Sequence, residues 1–147
     1  MSKASNTERI SLTASRHKHL SQRLIKAVQR AQTMAYAPYS KISVGAGLYC
    51  GGRKIYTGAN VENSSYSLSM CAERIALFKA VSEGVRDFRL LLVYSPQVSF
   101  ITPCGACLQV LSEFAPDLVI ASMNKREQFR FYPISVLMPQ PFRLSQE

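Results

Sequence analysis

Three cysteines set the strongest condition on how this chain can fold. Cys71 leads into Ala72 and Glu73, and far downstream comes Pro103-Cys104-Gly105-Ala106-Cys107. Cys104 and Cys107 stand at i and i+3, so they project from one face of a helical turn. Cys71 begins a helix predicted over Cys71 to Glu83. All three thiols then lie at helix N-termini, where the positive end of the helix dipole favours thiolate and hence a bound metal. Three thiolates on Zn²⁺ leave one tetrahedral position open, which marks a catalytic site. Zinc there brings the pKa of a bound water to about 7. Glu73, two residues from Cys71, can reach that water without competing as a ligand and can shuttle its protons. Arg74, at i+3 from Cys71, can hydrogen-bond a ligand sulfur and offset the excess negative charge. The alternative is a closed structural site with Cys50 as fourth ligand. That arrangement has no use for Glu73, and Cys50 continues the apolar alternation of a strand.

The rest of the chain reads as alternating helices and strands. Apolar residues at Leu20, Leu24, Val28, Ala31 and Ala35 predict a helix from about Leu20 to Tyr36, stopped by Pro38. Ile42, Val44, Ala46, Leu48 and Cys50 predict a half-buried strand. Gly51-Gly52 predicts a tight turn into a second strand, about Lys54 to Val61. A polar loop, Asn63 to Ser69, precedes the Cys71 helix, and Gly84 is a plausible cap at that helix's end. The nearly continuous apolar run Phe88 to Tyr94 reads as a central strand buried on both faces. Pro103 is expected to open a third helix in its first turn, running to about Phe114. Leu118 to Ser122 and Gln128 to Tyr132 are the fourth and fifth strands, joined by a hairpin at Asn124 to Glu127. The tail from Ser135 is irregular or ends in a short turn. This order predicts an α/β fold, a three-layer α/β/α sandwich around one five-stranded mixed sheet.

At 147 residues the chain is one domain that needs no disulfides. It has no apolar run long enough to span a membrane. Its first twenty residues lack an apolar stretch, so they do not read as a signal peptide, and a cytoplasmic location follows. Reduced cysteines in that compartment suit metal binding. The formal net charge is +9, but residues 1–30 hold seven basic residues against Glu8 alone. The excess therefore belongs to a flexible basic leader over residues 1–17 and to the exposed face of the first helix. Residues 18–147 form the single folded domain. This distribution argues against nucleic acid as a partner.

The segment Cys71-Ala72-Glu73-Arg74 followed by Pro103-Cys104-Gly105-Ala106-Cys107 resembles the small homotetrameric, zinc-dependent cytidine deaminases, in their three-cysteine form. The resemblance also takes in Tyr36-Ala37-Pro38-Tyr39-Ser40, Val44-Gly45-Ala46 and Asn60-Val61-Glu62-Asn63, and runs to Phe142. It implies hydrolytic deamination of cytidine and deoxycytidine in pyrimidine salvage. Zn²⁺ would be held by Cys71, Cys104 and Cys107, with Glu73 as proton shuttle. Asn60 and Glu62 would hold the ribose 3′-hydroxyl, and the backbone of Ala72 would contact the pyrimidine edge. Phe142 would cross to a neighbouring subunit and pack on the base, giving a homotetramer with shared sites. Its alternative is to fold back on its own core.

Three positions depart from the family pattern. Ile42 stands where Phe is usual against base and sugar, Leu108 where Arg is usual, and Ser64 where Ala is usual. Three competing readings remain: a deaminase of another aminopyrimidine such as an antibiotic nucleoside, a polynucleotide editor, and a zinc-bound scaffold without catalysis. The Asn60/Glu62 pair, the position of the basic residues and the intact Glu73 argue against each in turn.

Overall fold

The computed structural model describes residues 19–144, and the basic leader expected over 1–17 lies outside them. Among the described residues, four α-helices and five strands follow one another as α1 (Gln22–Gln32), β1 (Gly45–Cys50), β2 (Ile55–Ala59), α2 (Ala72–Ser82), β3 (Phe88–Tyr94), α3 (Gly105–Phe114), β4 (Val119–Met123), β5 (Phe129–Pro133) and the single turn α4 (Ile134–Leu137). The strands form one sheet in the order β2-β1-β3-β4-β5. Only β3 and β4 run parallel, so the sheet is mixed, as expected. α1 covers one face through Leu24, Ile25 and Val28, against Leu90, Leu92, Met123 and Phe131. α2 and α3 cover the other through Ala76, Leu77, Leu108 and Leu111, against Leu48, Leu91, Val93 and Ile120. This is the expected three-layer sandwich.

Strand β3 matches its expected bounds and its burial on both faces, because a continuous apolar run serves two cores at once. Three local expectations are corrected. First, α1 ends at Gln32, short of the expected Tyr36. The chain leaves the helix early because Tyr36 bridges to Val61, its N–H donating to the Asn60 carbonyl. Second, β1 is not half-buried. It begins at Gly45 and lies between β2 and β3, with five of its six residues buried. Gly45 and Gly47 face α1, and a Cβ on Gly47 would collide with Val28. These glycines make room for a helix where an alternating pattern suggests solvent. Third, Pro103 precedes α3 altogether, with Cys104 as the N-cap.

Gly84 does close α2. It has φ of 83°, its N–H donates to the Val81 carbonyl, and the Val85 N–H donates to Ala80. That pair of bonds is the Schellman arrangement, which favours glycine at this position. The turn after β1 spans Gly51–Arg53 and is longer than a two-residue hairpin turn.

Candidate active site

Cys71 and Cys104 are the N-cap residues of α2 and α3, and Cys107 lies in the first turn of α3. The two helix starts meet on the same side of the sheet. Their sulfurs form a cluster: Cys71 Sγ to Cys104 Sγ is 3.7 Å, and Cys104 Sγ to Cys107 Sγ is 3.6 Å. In a tetrahedral centre with Zn–S bonds of about 2.3 Å, neighbouring sulfurs lie about 3.8 Å apart. The donor set therefore fits zinc in both chemistry and spacing. Among the described residues these three cysteines are the group able to hold a metal. Cys50 is not part of it. Its thiol is fully buried and contacts the Leu48 carbonyl, and burial raises its pKa to about 11.

The sulfurs compete for negative charge. The Cys71 thiol is lowered, first by its interaction with Cys107 and then by the Arg74 guanidinium. Cys107 is pushed up, chiefly by that same interaction with Cys71 and by burial. A dication among them resolves the competition, because it favours all three thiolates together. The Arg74 guanidinium bonds Cys71 Sγ at 3.4 Å, as its i+3 position suggests. Leu108, where the family usually has Arg, lies instead in the apolar core.

Glu73 occupies the first turn of α2, only 4% exposed. Burial raises its carboxyl to about 7, and the negative charge of Cys71 adds to the effect. A carboxyl balanced near neutrality can both take and give a proton. Ala72, beside it, is fully buried. The start of α2 comes close to the sheet because residue 58 of β2 is glycine. A Cβ there would collide with the Ala72 carbonyl and lie 2.8 Å from the Ala76 nitrogen. Gly58 is a site-building residue that the sequence reading missed. Its signal was a lone glycine inside a strand, which marks close backbone approach.

Asn60 and Glu62 follow β2 directly. The bridge between Val61 and Met70 places them beside the segment that enters Cys71. Their side chains grip the loop 39–44. Asn60 Oδ1 accepts from the Val44 N–H at 2.8 Å, and its Nδ2 donates to the Ile42 carbonyl at 2.9 Å. Glu62 Oε2 accepts from the Tyr39 and Ser40 N–H groups at 2.9 and 3.2 Å, and its Oε1 accepts from the Ser40 hydroxyl. These donors, the Ser40 hydroxyl foremost, hold its carboxyl below the usual range. Glu62 also lines a cleft of about 280 Å³ with Tyr39, Ser40, Tyr66 and Ser69. Tyr39 and Tyr66 pack edge to face, with ring centroids 5.6 Å apart. Sequence reasoning assigned no role to these two rings. An aromatic in a polar loop was the available signal. Ile42 packs partly buried against the core, Ser64 is exposed, and Phe142 is 69% exposed on the tail.

The sandwich, the three-sulfur cluster at paired helix starts and the buried carboxyl beside it define a zinc-type hydrolytic deaminase. The family described as the cytidine and deoxycytidylate deaminase zinc-binding region matches residues 18–123, and the chain belongs to that family. It is 50% identical over 122 residues to a cytidine deaminase of Sporosarcina psychrophila, covering 82% of this chain and 90% of the relative. The crystal structure of cytidine deaminase from Burkholderia pseudomallei superposes with a TM-score of 0.78 at 40% identity, covering 84% of this chain and all of that one. A blasticidin-S deaminase of Bacillus cereus is 32% identical, over 69% of this chain and 78% of the relative. No helix among the described residues is long and apolar enough to cross a membrane.

Proposed function

We propose that the chain deaminates free cytidine and deoxycytidine to the corresponding uridines, releasing ammonia. The observation that carries this reading is Glu73, a carboxyl buried beside a sulfur cluster of zinc dimensions. Cys71, Cys104 and Cys107 would hold the zinc, which when bound supplies a water acidic enough to attack at neutral pH. Glu73 would move both protons of that water: the first to the ring nitrogen next to the amino carbon as oxygen adds there, the second from that oxygen to the amino group, which leaves as ammonia. Arg74 tempers the charge of the thiolates. The Ala72 backbone meets the pyrimidine edge, and Ile42 packs against base and sugar.

Asn60 and Glu62 act twice in this reading. Their bonds to loop 39–44 leave one Nδ2 hydrogen on Asn60 and spare lone pairs on Glu62, enough to take a ribose hydroxyl. The two residues thus shape the loop and bind the sugar together. Phe142 reaches the base of a neighbouring copy, so the working form is a homotetramer with shared sites. Free thiols serving as ligands suit a reducing cytoplasm and a place in pyrimidine salvage.

In this reading the catalytic domain is residues 18–147, and a family match over residues 18–123 supports its first boundary. Deleting residues 1–17 should leave nucleoside turnover intact; a large fall with the fold preserved would make the leader part of the site. The function itself is tested by the absorbance change of purified protein with cytidine, deoxycytidine, CMP, blasticidin S and single-stranded DNA. Turnover of the two free nucleosides is expected. Turnover of DNA or blasticidin S alone would overturn the assignment.

A further inference from the structure

Helix α3 holds more than two sulfurs. Two residues past Cys107, the Gln109 side chain meets the main chain of the tail. Its Nε2 donates to the Phe142 carbonyl at 2.9 Å, and its Oε1 accepts from the Phe142 N–H at 2.9 Å. One side-chain amide thus pairs with both polar groups of one residue, as a neighbouring strand would. Among side chains, the amides of Asn and Gln carry a fixed donor and acceptor side by side in this way. Arg143 adds a bond from its guanidinium to the Ser112 carbonyl, also on α3, at 3.1 Å. The result is a tail whose backbone is fixed at Phe142 while the ring stays exposed, beside a concavity of about 450 Å³. An unconstrained apolar side chain of this size would be expected to turn inward. Here the backbone is anchored and the ring is turned outward.

We infer that Gln109 is a positioning residue for the reaction: it ties Phe142 to the helix that begins at Cys104, and so fixes where the ring meets a nucleoside in a neighbouring copy. The inference rests on the reading of Phe142 given above. A ring held in place beforehand loses little freedom when substrate arrives, so the contact is realised as affinity. Gln109 touches no substrate. Its effect passes through Phe142 alone.

Four chains test this: wild type, Gln109→Leu, Phe142→Ala and the double variant, with Gln109→Met as a second replacement of matched length. The measurements are KM and kcat for cytidine, zinc content, and hydrogen exchange at the Phe142 amide. Gln109→Leu should speed exchange at that amide and raise KM about tenfold, the scale of one lost stacking contact, with kcat and zinc content kept. The double variant should match Phe142→Ala, because the clamp has no purpose once the ring is gone. Additive losses, a fall in kcat or lost zinc would make Gln109 a support of the metal helix and overturn the inference. Unchanged exchange at Phe142 would show that the clamp does not hold in solution and would also overturn it. A Phe142→Ala chain with normal KM would instead overturn the substrate contact, and the inference with it.

Discussion

At position 73, replacing the carboxyl by an amide removes one proton site and leaves size nearly unchanged. Glu73 is buried among Cys71, Arg74 and the start of α2, so Glu73→Gln should fold and bind zinc as the wild type does. Turnover should fall by at least the 10²–10⁴-fold typical of losing a general acid–base group, and by more if one group serves several transfers. Steady-state kinetics alongside zinc analysis checks this; activity within a few-fold of wild type would remove Glu73 from the reaction. At this scale the sequence was highly legible. Cys71 with Glu73 and Arg74, and Cys104 with Cys107, each act within one helical turn, and helical spacing fixes where such side chains point; the meeting of the two turns was legible through the family resemblance. The grip of Asn60 and Glu62 on loop 39–44 was not legible, because spacing says nothing about which backbone a side chain will meet.

Among the elements, close approach decides what the sequence pattern could not. Gly58 lets the first turn of α2 rest on β2, and Gly47 lets α1 rest on β1. Gly58→Val should force α2 away from the sheet. Overpacking of this kind costs about 1–3 kcal/mol or more, and here the displaced helix start includes Cys71. Melting temperature and zinc content should therefore fall together in Gly58→Val, whereas Gly52→Ala should lower the melting temperature only through the strain of its positive φ and leave zinc content unchanged, since a Cβ there meets no atom within 4 Å. A Gly58→Val chain with full zinc content would show that the approach does not set the metal site. The order of elements and strand β3 could be read from hydrophobic pattern alone. The burial of β1 could not, because its inner face toward α1 is glycine. The early end of α1 was hidden for a similar reason: the bridge from Tyr36 to Val61 is a long-range pairing that no local signal announces.

On the scale of the whole molecule, two proposals meet: shared sites and a catalytic zinc. If Phe142 serves a neighbouring copy, then Phe142→Ala and Glu73→Gln chains should complement each other. A mixed oligomer contains sites with Glu73 from one chain and Phe142 from another. Co-refolded mixtures should exceed the activity expected from dilution of the Phe142→Ala chain, and activity equal to dilution would contradict shared sites. The zinc site joins α2 and α3 across 33 residues of chain, so metal binding also stabilises their meeting. X-ray absorption at the zinc edge of the purified wild-type protein tests the catalytic assignment most directly. One zinc per chain, with three sulfurs at about 2.3 Å and one oxygen or nitrogen, is the expected result. A shell of four sulfurs, drawing in Cys50, would mean a closed structural site and contradict it.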